Sequence, residues 1–255
     1  MPSEIKPDPI SSHSSTISID NPVEDLVWLK TRDGSPTLWN NDIGESYRSL
    51  RGAFTESYWA FVRPALESAL PQTPQKLMVG EFGLGLGTNW LIWNQFAIEA
   101  GLNFEYVAIE KNTAAFESGL ERWKSEFPAF EILATKLGLK ISQETYLKRL
   151  ENPEIKIFES PEALAQSSLQ FDLWFHDPFG ADVNPEGYSL RTLSTLAPCW
   201  SPNVSGFSYA CNRTFQESLK NINLAFRVVD FEERTAKRSR LEFGRAASSN
   251  APSKT

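Results

Sequence analysis

The sequence predicts an α/β fold, a doubly wound sheet of parallel strands, and three stretches carry that prediction. The first is K-L-M-V-G-E-F-G-L-G-L-G-T-N-W-L, residues 76–91. There an apolar run at Leu77–Val79 leads through Glu81 to glycines at 83, 85 and 87, and Asn89–Ile92 read as the first turns of a helix. Strand, glycine turn and helix is how such a sheet opens its cofactor site, because the backbone must turn sharply and admit a ligand where a Cβ would stand. The second stretch is N-F-E-Y-V-A-I-E-K, residues 103–111, an apolar strand ending in Glu110. The third, F-D-L-W-F-H-D-P-F at 171–179, brings His176, Asp177, Pro178 and Phe179 to the carboxyl rim, where ligands bind in open α/β sheets.

The glycine spacing separates cofactor classes. A nicotinamide fingerprint needs its third glycine at position 88, which is Thr88, and a phosphate loop needs a Gly-Lys-Ser/Thr step that the turn lacks. The observed G-x-G-x-G fits S-adenosylmethionine, which has no phosphate to cradle. Glu110 then has two readings: an acceptor for both hydroxyls of an adenosine ribose, or a solvated acid at a strand end. Asp177 has two as well. It fixes a polar substrate group while Phe179 stacks on a base, or it caps backbone amides in a turn. His176 alternates away from Asp177 along the strand and is expected to be packed.

The remaining elements follow in order. L-V-W-L-K-T and T-L-W-N flank Asp33-Gly34, a hairpin signal, so a small β-hairpin precedes the main sheet. G-E-S-Y-R-S-L-R-G has neither helical nor strand periodicity and reads as a loop, either a pocket wall or a plain connector. A helix is expected from Thr55, with Thr55 or Ser57 as its cap and Trp59, Phe61, Val62 and Leu66 on its apolar face. Residues 113–150 carry helical patterns, I-K-I-F-E-S (155–160) is a third strand ending in Glu159, and Pro161 suits the first turn of the helix that follows. A helix at S-L-R-T-L-S-T-L-A-P, a fifth strand at 203–210, a helix at T-F-Q-E-S-L-K-N and an antiparallel pair, F-R-V-V-D-F-E with R-L-E-F-G-R, close the domain. The expected boundaries are a disordered tail over 1–22 that contains His13, one folded domain over 23–245 and a disordered tail over 246–255.

Composition narrows the function classes. With 255 residues, 41% hydrophobic content and eight tryptophans, the chain suits one domain with a substantial core. No apolar run approaches the roughly 20 residues that span a bilayer, and the N-terminus lacks the pattern of a signal peptide, so a cytoplasmic protein is expected. Cys199 and Cys211 make neither a disulfide framework nor a metal spacing, and no metal is expected. A net charge of −7 argues against a general nucleic-acid binder. Against that background stands a local basic stretch, Arg234, Lys237, Arg238, Arg240 and Arg245, which is either a phosphate-binding patch or a solvated hairpin face.

Taken together, D-G-S-P-T-L-W, G-E-S-Y-R-S-L-R-G-A-F-T-E-S, E-F-G-L-G-L-G-T-N-W-L, A-I-E-K, D-L-W-F-H-D-P-F-x-x-x-x-N-P-E and K-R-S-R-L span roughly residues 28–245. In this order they resemble the S-adenosylmethionine-dependent methyltransferases built on a seven-stranded, Rossmann-like sheet. More narrowly they resemble the methyltransferase part of the bacterial tRNA-modifying MnmC proteins and their stand-alone MnmD relatives. The resemblance implies methyl transfer to the aminomethyl nitrogen of 5-aminomethyl-2-thiouridine at the wobble position of tRNA, recognised through the anticodon stem-loop. It also implies a chain without the flavin oxidase half of the bifunctional proteins. Carried over, it makes Glu81, Gly83, Gly85, Gly87 and Asn89 the cofactor floor, with Glu110 at the ribose and Glu159 by the adenine. Asp177 is then the catalytic carboxylate that meets the amine, and Phe179 lies beside the uracil. Glu45, Tyr47 and Glu56 border the pocket, and Lys237 and Arg238 meet the RNA.

The chain departs from the family at the loop G-A-D-V-N-P-E-G-Y, at A-C-N-R after strand five and at the glycine-free E-R-T-A-K-R-S-R. Those departures keep two alternatives open: a non-catalytic module that binds RNA or protein on the same fold, and a methyltransferase for another amine. A nicotinamide oxidoreductase is demoted by Thr88.

Overall fold

The computed structural model describes residues 26–70, 76–231 and 239–244. Both expected tails, His13 and the basic residues Arg234, Lys237, Arg238 and Arg245 lie outside them. Among the described residues ten strands form two sheets. The smaller is antiparallel and N-terminal, with β1 (Leu26–Lys30), β2 (Pro36–Asn40) and β3 (Glu45–Ser46) in that order. The hairpin is present, closed by a five-residue loop over 31–35 in which Gly34 takes a φ of +89°. The two-residue β3 is an addition to the expectation: the segment read as aperiodic pairs with β2, Trp39 opposite Ser46 and Asn40 opposite Glu45.

The next helix begins earlier than expected, and its cap explains why. α1 spans Ala53–Ser57, so Thr55 and Ser57 are buried within it and cap nothing. Its first amides are met from the hairpin loop: Ser35 Oγ accepts from the N–H groups of Ala53 and Phe54 (both 3.1 Å), and Asp33 Oδ2 accepts from that of Thr55 (2.8 Å). One wide π-helical turn, Tyr58–Val62, then leads without a break into α2 (Arg63–Ala69), whose second residue is Pro64.

The main sheet has seven strands: β4 (Leu77–Phe82), β5 (Phe104–Ile109), β6 (Ile155–Phe158), β7 (Phe171–His176), β8 (Trp200–Ser208), β9 (Ala225–Asp230) and β10 (Ser239–Gly244). Their spatial order is β6-β5-β4-β7-β8-β10-β9, parallel from β6 to β8, with β10 antiparallel to both of its neighbours. The order reverses at β4, which pairs with β5 on one side and β7 on the other, so the crevice of the switch point opens above β4. α3 (Thr88–Glu99) is buried from Thr88 through Ala97, as a helix held between a sheet and a second helical layer must be. α4 (Thr113–Lys124), α5 (Phe127–Lys136) and α6 (Gln143–Glu151) fill 113–151, α7 (Pro161–Ala165) follows β6, and α8 (Leu190–Leu196) and α9 (Arg213–Asn221) cover the other face. Two apolar clusters result, one around Trp90, Trp93 and Phe175 and the other around Trp174, Phe215 and Phe243.

His176 is packed, as the alternation implies. It stacks on Phe215 at 4.6 Å, its Nε2 lies 2.9 Å from the Gly187 carbonyl oxygen, and burial lowers its pKa to about 3. Cys199 is buried and Cys211 half-buried, on either side of β8. Among the described residues no helix is long and apolar enough to cross a membrane, and no cluster of His, Cys, Asp or Glu could hold a metal ion.

Candidate active site

The carboxyl end of β4 is clamped between its neighbours. The amide of Gly83 donates to the Ile109 carbonyl (3.1 Å) and that of Asp177 to the Phe82 carbonyl (2.8 Å), so the chains leaving β4, β5 and β7 stay in register beyond the strands. Gly83 has a φ of +89°, and a Cβ there would lie 2.6 Å from the Asp177 carbonyl oxygen. Gly85 has a φ of +51°, and its Cβ would meet the Tyr47 ring at 2.8 Å. Only glycine combines that backbone with that proximity, so the turn is fitted to the protein as closely as to a ligand. Gly87 packs against the ring of Phe116.

Glu110, just past β5, is held at the lip of this turn. Its Oε2 accepts from the Gly85 amide and its Oε1 from the Asn112 amide, both at 2.9 Å. Each carboxylate oxygen keeps a further lone pair, so the group can still accept from two vicinal hydroxyls. Glu159 stands exposed on the rim beyond β6.

Across the crevice Asp177 lies in a dry environment, its side chain 6% exposed. Its Oδ2 forms an ion pair with Nη2 of Arg48, a guanidinium that is 4% exposed, and accepts from Asn89 Nδ2 at 2.8 Å. The second hydrogen of that Nδ2 goes to Glu81 Oε1 (2.8 Å), and the Tyr106 hydroxyl donates to Glu81 Oε2 (2.8 Å). Burial raises the Glu81 pKa to about 7, against the pull of Arg48 and its hydrogen bonds. Burial also pushes Asp177 well above the usual carboxylate range; Arg48 opposes the rise, and Glu81 and Glu56 add to it. Burial alone would lower the pKa of Arg48, but Asp177, Glu56 and Glu81 together raise it, and it stays charged.

The third wall comes from the N-terminal sheet. Glu45 Oε2 accepts from the Gly180 amide (3.1 Å), and the Tyr47 ring meets Phe179 edge-on at 4.9 Å. The hydroxyls of Tyr188 and Tyr209 both donate to the Pro178 carbonyl (2.9 and 3.0 Å), which fixes the turn carrying Phe179.

These walls enclose a cleft of about 510 Å³, within the range of cofactor sites. Of the residues singled out in the sequence, Glu45, Tyr47, Gly83, Gly85, Glu110, Glu159, Asp177 and Phe179 line it. Glu81 and Asn89 lie beneath it as a buried support, Gly87 faces the core, and Glu56 is buried beside Arg48 with its Oε2 accepting from the Ser49 amide (3.2 Å). Lys237 and Arg238 lie outside the described residues. Sequence reasoning passed over Arg48 and Tyr209, both of which line the cleft. The signal for Arg48 was available: an acid at a strand end that is to be buried needs a counter-charge, and the polar loop before α1 supplies one.

The lining fits a sulfonium nucleoside. Glu110 offers oxygens for a ribose, Phe82, Leu86 and Ile109 offer apolar surface, and Arg48 is already committed to Asp177, which leaves Lys111 to meet any phosphate. Residues 131–244 match the model of a family described as S-adenosyl-L-methionine-dependent methyltransferase. The bifunctional MnmC protein of tRNA 5-methylaminomethyl-2-thiouridine biosynthesis from Pseudomonas fluorescens is 30% identical over 170 residues, covering 61% of this chain and 26% of that protein. The protein of the same name from Campylobacter hominis is 24% identical, covering 72% of this chain and 28% of its own length. The chain thus spans about a quarter of the length of the curated relatives it matches. The crystal structure of MNMC2 from Aquifex aeolicus superposes with a TM-score of 0.64 at 23% identity, over 87% of this chain and 71% of that one, and shares the fold. The strand order, the acid at the glycine turn and these matches agree: the chain has the fold of the S-adenosylmethionine-dependent methyltransferases and is similar to that family over residues 131–244 and to part of the MnmC proteins.

Proposed function

We propose that the protein methylates the aminomethyl nitrogen of 5-aminomethyl-2-thiouridine, or its 2-oxo counterpart, at the wobble position of tRNA, within the anticodon stem-loop. The observation that carries this reading is Asp177, a buried carboxylate opening onto the same cleft as the Glu110 lip, with Phe179 beside it. The names of the curated relatives supply the product class, a methylaminomethyl-thiouridine in tRNA.

In this reading Gly83, Gly85 and Glu110 hold the nucleoside end of S-adenosylmethionine, over Glu81 and Asn89, and Glu159 lies at the adenine. When bound, that cofactor supplies a methyl sulfonium, whose carbon a neutral amine can take with loss of the thioether. The protein's task is therefore alignment, exclusion of water and removal of a proton. An alkylamine is mostly an ammonium at neutral pH. Asp177 Oδ1 accepts its proton, leaving the nitrogen lone pair free, while Oδ2 stays on Arg48 and Asn89. An acid raised by burial suits this task, because burial increases its affinity for a proton. Phe179, edge-on to Tyr47, offers its face to the pyrimidine, and Glu45 holds the loop that carries it.

Methyl transfer to a smaller cationic amine is favoured by one observation, the rim itself. Glu45, Glu110, Glu159, Glu162 and Glu186 stand around the opening with Lys111, a surface that repels phosphate. One experiment separates the readings. The protein is incubated with methyl-labelled cofactor and tRNA carrying 5-aminomethyl-2-thiouridine, and the nucleosides are analysed by mass spectrometry beside a panel of free amines. Label in the wobble nucleoside supports the proposal, and label in the free amines alone overturns it. A folded protein that binds the demethylated cofactor but labels neither is a binding module.

A further inference from the structure

We propose that Arg48 is a positioning residue for the methyl transfer, the counter-ion that holds Asp177 in place and keeps it anionic. The inference rests on the functional reading above and deepens it. It starts from a charge imbalance. Three carboxylates, Glu56, Glu81 and Asp177, share one dry region with a single guanidinium. Like charges crowded away from water cannot all remain ionised, so the cluster retains a proton, and its position decides whether Asp177 can act.

Geometry sorts the three. Glu56 takes the Ser49 amide (3.2 Å), and Glu81 takes Asn89 and the Tyr106 hydroxyl. Asp177 forms an ion pair with Arg48, and its two protein donors, Arg48 and Asn89, converge on Oδ2. With Oδ2 engaged in this way, Oδ1 is the oxygen left to take a proton, on a residue that lines the cleft. The other groups facing Asp177 oppose its ionisation or carry no charge, and of the uncharged ones Asn89 favours the anion through its hydrogen bond. They are Glu81 from β4, Glu56 from α1, Tyr106 from β5, Tyr188 and Tyr209 from beyond β7 and β8, and Asn89 from α3. Arg48 alone among them favours the anion by its charge.

The proton balance is simple. One N–H bond of the ammonium breaks, one O–H bond forms at Asp177 Oδ1, and the electron pair stays on nitrogen to make the new bond to carbon. Once the product leaves, the acid returns its proton to water through the cleft mouth. Without Arg48, Asp177 would hold a proton to higher pH and be less able to accept another.

The test is the pH profile of single-turnover methylation in Arg48→Met, Arg48→Lys and the double variant Arg48→Met/Glu81→Gln. In Arg48→Met the acid limb should move to higher pH by about 1–3 units, the usual effect of one opposite charge within a few ångströms. The rate at pH 7 should fall about tenfold or more and recover in alkali. Arg48→Lys should keep the limb near its wild-type position, and Glu81→Gln in the double variant should bring it part of the way back. A residue that merely supports the fold would lower the rate equally at every pH, and its loss would add to that of Glu81→Gln. That result would overturn the proposal.

Carbon-13 NMR of the labelled Asp177 carboxyl, with the demethylated cofactor bound, reads the same midpoint without an acceptor. An inactive wild type would therefore defeat the tRNA reading and leave this one still decided by the shift. If Arg48→Met does not fold, the Asp177 midpoint should fall in Glu81→Gln and hold near wild type in Arg48→Lys. An unmoved midpoint in the first, or one raised in the second as though no cation remained, would refute the shared cluster.

Discussion

Glu110 and Asp177 stand at the carboxyl ends of the two strands that flank β4, and in the sequence they read alike. Their surroundings differ in kind. Glu110 is half-exposed and oriented by two backbone amides, those of Gly85 and Asn112. Asp177 is dry and oriented by a guanidinium and a side-chain amide. Backbone donors fix a carboxylate's direction while water keeps its charge cheap, which suits an acceptor for neutral hydroxyls. Burial beside fixed charges makes protonation itself the variable, which suits proton transfer. One motif, an acid at a strand end, thus yields two chemistries, and burial decides between them.

The sharpest way to break this contrast is Asp177→Asn. The amide keeps a hydrogen bond but cannot take a proton. Turnover should fall about 10²–10⁴-fold, with affinity for the demethylated cofactor barely changed in calorimetry. A near wild-type rate would make Asp177 a turn residue and the contrast with Glu110 empty.

Glu81, in the floor between the two acids, tests the idea from the side of stability. Its folded-state pKa, about 7, lies above the 4.5 of a free glutamate, so the native protein binds the extra proton. The stability tied to that proton is fully present below pH 4.5 and is lost as pH rises through about 7, on the order of 3 kcal/mol in all. Glu81→Gln should remove this loss. Relative to wild type, the variant should therefore gain in urea melts at pH 8 compared with pH 5. His176 works in the opposite sense, neutral in the fold and protonated on acid unfolding, but it is common to both proteins and cancels in the difference. A difference that does not vary with pH would mean that Glu81 is ionised in the fold.

Much of the fold is visible in the sequence because its signals are local. The apolar runs of β4, β5 and β7, the glycine turn and the cap-proline start at Ser160-Pro161 are each settled within a few residues. What is not visible is supplied from elsewhere in the chain. Thr55 and Ser57 look like caps, yet α1 starts before them because Ser35 and Asp33 reach across some twenty positions to its amides. β3 has too little periodicity to register and exists because β2 offers it an edge. The site divides along the same line. Gly83, Gly85 and Glu110 belong to adjoining elements of one strand-turn-helix-strand unit, whereas Arg48 meets Asp177 only after the N-terminal sheet docks on the Phe179 loop. Long-range pairing of charges carries no spacing rule that a linear reading could use.

Glu110→Ala sharpens the comparison from the open side. Loss of the carboxylate removes the acceptor for the ribose and frees the Gly85 amide to water. Affinity for S-adenosylmethionine should weaken by about 1–3 kcal/mol, the range for hydrogen bonds to a charged group. The rate at saturating cofactor should hold within a few-fold. A loss confined to that rate, with affinity intact, would exchange the roles of the two acids.

The smallest effect is expected at Glu159, a third acid at a strand end and the control for the other two. It lines the same cleft beyond β6, but its side chain is exposed, and among the described residues it makes no recorded hydrogen bond or ion pair. A carboxylate in that state is solvated whether or not a ligand is present, so an adenine edge competes with water and gains little. Glu159→Ala should therefore weaken cofactor binding by less than about 1 kcal/mol and leave the pH profile of turnover where it was. Calorimetry with the demethylated cofactor reads the first, and single-turnover rates across pH read the second. A loss as large as that of Glu110→Ala would show that Glu159 becomes ordered and desolvated when ligand binds. Exposure in the free protein would then no longer rank these acids, and the contrast between Glu110 and Asp177 would have to be measured again in the bound state.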